Sequence, residues 1–183
     1  MAAGMEAPHT EVAKLVKEAP VVNSDETGHK QSGQTAWLWA FVTRTMALFV
    51  ASSVRGAEVA KAALGEGFKG ILISDRWTAY LWVDVVRRQL CWAHLGRDFE
   101  KMKDRRGLAQ PIGDRLLALM RELFALWHHH RDGIISRALL IRLAAPLRVE
   151  VVACLHDGLR VPNIAGMCRN ILKLEKALWT FLE

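Results

Sequence analysis

The sequence predicts an α/β fold: a five-stranded mixed sheet followed by an α-helical bundle. Three observations predict it. Short runs of β-branched and aromatic residues, separated by turn signals, fill residues 21–94. One of them, "GILIS" at Gly70–Ser74, is short, unbroken and apolar, as a strand between two neighbours should be. Beyond about Asp98 the strand signals stop, and apolar residues recur at helical spacing.

"VVNSD" is an extended stretch ending at Asp25. "TAWLWAFVT" alternates, with Trp37 and Trp39 on one face and Leu38 and Ala40 on the other. "TMALFVASS" follows so closely that the two pair as a hairpin. "GAEVAKAALGEG" switches to helical spacing and stops at Gly65 or Gly67. After "GILIS", "TAYLWVDV" is a short helix candidate and "RRQLCWAH" a fifth strand. The order β-β-β-α-β-α-β gives an antiparallel meander and then parallel neighbours.

In the second half, Pro111 sits where a helix begins, and Ile112, Leu116, Leu119, Leu123 and Trp127 share one face. Ser136 caps a second helix that Gly158 stops and that Pro146 kinks or divides. Ile164, Met167, Ile171, Leu174, Leu178 and Phe181 mark a third, running towards Glu183 with no stop signal. That pattern is expected of a piece of a longer protein. The expected divisions are residues 1–20, with one short helix candidate "TEVAKLVKEA"; 21–105, the sheet-bearing core; and 106–183, the helical part.

With 183 residues, half of them hydrophobic, the chain can bury a core, which excludes a largely disordered protein. No apolar run approaches the roughly 20 residues that cross a bilayer, and no signal-peptide pattern opens the sequence. Three widely spaced cysteines, Cys91, Cys154 and Cys168, suit a reducing cytoplasm rather than a disulfide scaffold. A net charge of +6 favours a polyanionic partner, although the charges are spread out. "RR" at Arg87–Arg88 and "KMKDRR" at Lys101–Arg106 read equally as solvated faces.

Asp25 and Asp75 stand at the ends of the first and fourth strands, fifty residues apart. In a sheet ordered 3-2-1-4-5 those strands are parallel neighbours, and their ends bring the carboxylates together. Two anions held close do not both ionise cheaply. A divalent cation with a taste for oxygen, Mg²⁺ or Mn²⁺, removes the conflict and supports phosphoryl transfer. The plainer reading, in which each aspartate shapes a turn and Asp25 caps "DETG", stays open.

"DETGHKQSGQTAWLWAFVT", "SDRWTAY" and "RRQLCWAHLGRDF" resemble, in order and spacing, the core of DDE transposases of the insertion sequence 66 family. "LFALWHHHRDG", "PLRVEVV" and "LEKALWTFLE" extend the resemblance through the helical part, so that it covers about residues 21–183. It implies an RNase H-like fold with a helical insertion. It implies a D-D-E triad holding two Mg²⁺ (or Mn²⁺) ions, which cuts DNA at transposon ends and joins the freed 3′-hydroxyl to target DNA. Asp25 corresponds to the first acid and Asp75 to the second. The third lies, in the family, beyond the stretch matching "LWTFL", so the chain is expected to be an inactive or nearly inactive fragment. The resemblance implies end-binding and Cys-rich segments ahead of the core; the roughly twenty residues before the first strand hold no cysteine, so end recognition is not expected of them. The implied partners are transposon-end and target DNA and a homo-oligomer or other transposase subunits. The implied location is the bacterial cytoplasm, at the nucleoid when bound to DNA.

Around the acids, Arg76 follows Asp75 directly, and Lys30 and Arg55 are expected in loops flanking the same mouth. His94 is expected at the end of the fifth strand. These four are the candidate DNA contacts; for each, an ordinary exposed charge is the alternative. Cys91 and His94 have a C-x₂-H spacing, but on a strand they point to opposite faces, which argues against zinc. Tryptophans 37, 39, 77 and 82 read as core or face-packing residues rather than base-stacking platforms. Two other functions remain: a non-enzymatic DNA- or protein-binding module, and a metal-dependent nuclease with Glu100 as its third acid.

Overall fold

The computed structural model describes residues 6–183. The first five residues of the expected segment 1–20 lie outside the described residues. The chain forms two compact units, one ending at Leu90 and the other spanning Cys91–Glu183.

The first unit opens with helix α1 (Glu6–Glu18) and continues with β1 (Val21–Gln31), β2 (Gln34–Val42), β3 (Ala47–Ser52), α2 (Ala57–Leu64), β4 (Ile71–Ser74) and β5 (Arg88–Leu90). The sheet order is β3-β2-β1-β4-β5, as expected. β1–β2 and β2–β3 are antiparallel; β1–β4 and β4–β5 are parallel. Alternation divides the sheet into two faces. Val22, Trp39, Phe41, Leu48 and Leu72 point to one face and pack with Val16 of α1 and Val59, Ala60, Ala63 and Leu64 of α2. Trp39 stacks on Phe41 at 6.2 Å and meets Tyr80 edge-on. On the other face Val21, Leu38, Val42 and Phe49 are exposed.

β1 is longer than the sequence suggests. It runs past Asp25 because the antiparallel ladder with β2 continues to Gln31↔Gln34. Ser32 and Gly33 then close a two-residue hairpin with φ of 50° and 80°, the twist such turns favour. "DETG" is therefore strand rather than turn. α2 ends as expected at Gly65, whose φ is 82°.

The segment between β4 and β5 corrects another expectation. "TAYLWVDV" forms no α-helix; it makes 3₁₀ turns at Thr78–Tyr80, and Val85–Arg87 forms a second. Two valines lower its helix propensity, and Asp84 diverts the backbone by accepting a hydrogen bond from the Val86 N–H at 3.1 Å. Burial of Ala79, Tyr80 and Val83 fixes the path instead. β5 is also shorter than expected, because Cys91 caps the next helix.

The second unit consists of α3 (Trp92–Asp104), α4 (Ala109–Arg131), α5 (Arg137–Gly158) and α6 (Pro162–Leu172). Leu95, Phe99 and Met102 of α3 are buried, as are Leu116, Leu119 and Leu123 of α4, Leu140, Leu147, Val151 and Leu155 of α5, and Ile164, Cys168 and Ile171 of α6. Ser136 caps α5, its Oγ accepting from the Leu139 N–H. Pro146 does not divide α5. An interior proline costs about 3 kcal/mol, and the buried residues on both sides of it offset that cost. α6 stops at Leu172; the apolar pattern beyond it is carried by 3₁₀ turns at Glu175–Leu178 and Thr180–Leu182. These turns bury Leu178 and Trp179, and the Trp92 indole N–H donates to the Leu178 carbonyl at 3.1 Å.

Gly113 marks where α3 and α4 touch. A Cβ there would lie 2.7 Å from the Phe99 carbonyl oxygen and 2.8 Å from Lys103 Cα, both rigid backbone. Gly113→Ala is expected to destabilise the helical unit by about 2–3 kcal/mol through overpacking. Thermal unfolding followed by circular dichroism checks this, and an unchanged midpoint would show that the helices move apart freely.

Candidate active site

The site begins with the register between β1 and β4. Val21 pairs with Ile71, Val22 with Leu72 and Asn23 with Ile73, a constant offset of fifty. Continued by two residues past the last pair, the same offset would lead to Asp25 and Asp75. Adjacent strands lie about 4.8 Å apart where they pair. By alternation Asp25 lies on the face away from the core, and it is exposed. Hydrogen-bonded pairing between β1 and β4 ends at Asn23↔Ile73, and the acids lie just beyond it.

Several bonds shape the chain at Asp75. Its Oδ1 accepts the Trp77 N–H at 2.8 Å, bending the backbone into a turn as strand β4 ends. Its carbonyl oxygen accepts from Arg88 Nη2 at 3.0 Å and from Ser74 Oγ at 2.9 Å. Arg88 and Ser74 are each only 1 % exposed. Burial lowers the pKa of Arg88 from its ordinary value, and the nearby charge of Asp75 opposes that shift. The reading of Arg87–Arg88 as a solvated pair is therefore corrected for Arg88. Its register with Leu72, a core residue, turns it inward.

The sequence reading also missed Glu26. It alternates with Val22 and Ser24, so it faces the core, opposite in direction to Asp25. Its side chain is 1 % exposed. Arg55 Nε and Nη2 donate to Oε1 at 2.9 and 2.7 Å, and the Tyr80 hydroxyl donates to Oε2 at 2.6 Å. Ser24 Oγ lies 3.1 Å from the same hydroxyl. With the tyrosyl proton directed to Glu26, Ser24 is the donor in that contact. Burial first, and then the bond to Glu26, push the Tyr80 pKa far up. The signal was present in the strand alternation, but a charged residue in "DETG" reads as surface.

The four candidate DNA contacts are differently placed. Arg76 follows Asp75 and is half-buried. Arg55 is in the loop between β3 and α2, as expected, but is engaged with Glu26; its guanidinium lies 4.6 Å from the Trp37 ring and 4.2 Å from that of Trp77. Lys30 is in β1 rather than a loop, and its Nζ donates to Thr35 Oγ1 at 2.9 Å across the hairpin. Five residues separate Lys30 from Asp25, about 17 Å along a strand. His94 is on the first turn of α3, in the second unit, not at the end of a strand. The argument that Cys91 and His94 point to opposite faces therefore fails, since i and i+3 share a helix face. Among the described residues, however, no group of three or more His, Cys, Asp or Glu is placed to hold a metal ion. Glu100 of α3 is exposed and lies 3.9 Å from Lys103.

The Transposase IS66 family model matches residues 1–183. The chain belongs to this family. No curated protein and no solved structure matches it. In this transposase-family chain all three cysteines are free, and Cys154 and Cys168 are buried. Burial pushes the Cys154 thiol up to about 11. No helix among the described residues is long and apolar enough to cross a membrane.

Proposed function

We propose that this chain carries the RNase H-like catalytic core of a DDE transposase, with Asp25 and Asp75 as the first two acids of the triad. The shared offset of fifty between β1 and β4, which leads both aspartates to one place, is the observation that supports it most strongly. Two carboxylates on adjacent backbones supply hard oxygen donors, the chemistry that Mg²⁺ or Mn²⁺ prefers. Asp25 and Asp75 would hold the cation. When bound, it lowers the pKa of attacking water and stabilises the leaving oxygen of a DNA phosphodiester. The chain's own residues would orient the acids, and Arg76, next to Asp75 in sequence, would meet a phosphate. Residues 21–105 form the core in this reading and 106–183 the helical insertion. The substrates are transposon-end and target DNA, handled at the nucleoid by an assembly of transposase subunits.

Glu26 is turned to the core and does not serve as the third acid, and Glu100 is exposed on α3 in the second unit. Where Asp25 and Asp75 alone supply the carboxylates, the preorganised charge at the reacting phosphate is incomplete. The wild-type chain is expected to bind Mn²⁺ but to nick supercoiled DNA no faster than the Asp75→Asn variant, and Asp75→Asn is expected to abolish the Mn²⁺ binding. Calorimetric titration with Mn²⁺ and a gel nicking assay test both parts. Robust cleavage that depends on Asp75 would refute the inactivity; cleavage that also needs Glu100 would establish the nuclease reading.

Charge distribution favours a second activity, DNA binding without cleavage. Lys and Arg outnumber Asp and Glu by five in Cys91–Glu183 but by one in the sheet unit, so the net +6 resides chiefly with the helices. DNA affinity that falls steeply with salt, independently of Mn²⁺, would support this role.

A further inference from the structure

Tyr80, Glu26 and Ser24 form a buried device that the proposed chemistry does not use directly. Ser24 and Glu26 are the two residues flanking Asp25 in β1, and both point away from it, into the core. Both reach one hydroxyl, that of Tyr80, at 3.1 and 2.6 Å. Tyr80 ends the short segment that Asp75 opens. Trp77, bonded through its N–H to Asp75, lies in the same segment and stacks on Arg55. Arg55 returns to Glu26. A closed circuit thus runs from Asp25's neighbours through Tyr80, and separately through Arg55 and Trp77, to Asp75.

The circuit lies where backbone pairing stops. Strand hydrogen bonds fix the relative position of β1 and β4 only as far as Asn23 and Ile73. Asp25 and Asp75 lie beyond that point, where the bonds of the Tyr80 hydroxyl to Ser24 and Glu26 tie the two segments. A carboxylate that accepts from an arginine and a tyrosine inside a protein is held stiffly, because the low dielectric strengthens both bonds and removal of either partner leaves a buried charge.

We propose that Tyr80 and Glu26 are positioning residues, which hold Asp25 and Asp75 at the separation a shared divalent cation requires. The proposal rests on the reading of that pair as a metal site. Partners of this kind, outside the ligands themselves, typically change metal affinity by about 10- to 100-fold.

The test uses the full chain and Mn²⁺, with free Mn²⁺ measured by electron paramagnetic resonance. Tyr80→Phe removes only the hydroxyl. Glu26→Gln keeps the shape and removes the charge. Leu64→Ala, in α2 and 1 % exposed, is the control for a general loss of stability. Tyr80→Phe and Glu26→Gln are each expected to weaken Mn²⁺ binding about tenfold or more at temperatures where circular dichroism shows them folded, while Leu64→Ala binds as the wild type does. Tyr80 is the only tyrosine in the chain. Labelling with 3-fluorotyrosine therefore gives one ¹⁹F resonance, which Mn²⁺ should broaden in the wild type at concentrations that leave it sharp in Glu26→Gln. If Tyr80→Phe does not fold, Glu26→Gln and the ¹⁹F signal carry the test. Wild-type affinity in both clamp variants, or an equal loss in Leu64→Ala, overturns the positioning role and leaves the metal site standing. A wild-type chain that binds no Mn²⁺ overturns both.

Discussion

Glu26→Ala is expected to destabilise the sheet unit by about 3 kcal/mol, the lower end of the range for removing one partner of a buried ion pair. The lower end applies because the Arg55 side chain keeps 32 % of its surface in solvent and can recover some hydration. The Tyr80 hydroxyl can turn its proton to Ser24 Oγ, 3.1 Å away, so it adds little of the about 1–3 kcal/mol that an unsatisfied buried donor would cost. A unit of this size shifts its melting temperature by about 4–8 °C per kcal/mol. A drop of roughly 12–24 °C in the melting temperature follows. Scanning calorimetry of wild type, Glu26→Ala and Glu26→Gln measures it. Glu26→Gln should lose less, since the amide oxygen still accepts a bond. A Glu26→Ala protein that melts within 2–3 °C of wild type, well inside the shift expected per kcal/mol, would mean that the circuit contributes nothing to folding.

Trp39→Ala carries a comparable effect by a different route. Trp39 is fully buried, stacked on Phe41 and edge-on to Tyr80, at the centre of the core shared by the sheet, α1 and α2. Truncation of such a side chain costs about 3–5 kcal/mol through lost transfer energy and the cavity left behind. Because Tyr80 leans on the vacated volume, the clamp should loosen as well. Trp39→Phe, which refills part of the space, should restore most of the stability. The same calorimetry checks both variants. Equal melting of Trp39→Ala and Trp39→Phe would show that the loss is not one of packing.

The sheet order was legible because period-2 alternation at Trp37, Trp39 and Phe41 and the closed apolar run Ile71–Ser74 leave few other topologies. The proposal that Asp25 and Asp75 meet rests on their matching distances along two strands that this topology makes neighbours. What failed were boundaries and inward-facing charge. "QLCWAH" is apolar enough to pass for strand, yet at Cys91 the chain turns into α3, which moves His94 from a strand end to a helix. Past Leu172 the apolar spacing persists, but 3₁₀ turns satisfy it as well as an α-helix does, because periods of 3.0 and 3.6 are alike over two turns. Glu26 and Arg88 were missed for a single reason. Charge in a sequence signals surface, and only the register shows that a partner on another element allows it to turn inward.

The account depends on Asp25 and Asp75 facing each other across β1 and the end of β4. The most direct measurement is a cross-link. Asp25→Cys and Asp75→Cys are introduced together, with the three native cysteines replaced, and the chain is oxidised mildly and mapped by mass spectrometry. Neighbouring strands place Cα atoms about 5 Å apart, within the range of about 4.4–6.8 Å that a disulfide spans. The predicted result is rapid, near-complete formation of an intramolecular disulfide between positions 25 and 75, and none from either single variant. Free thiols at both positions after oxidation, in a chain whose circular dichroism is native, would contradict the juxtaposition and with it the metal site.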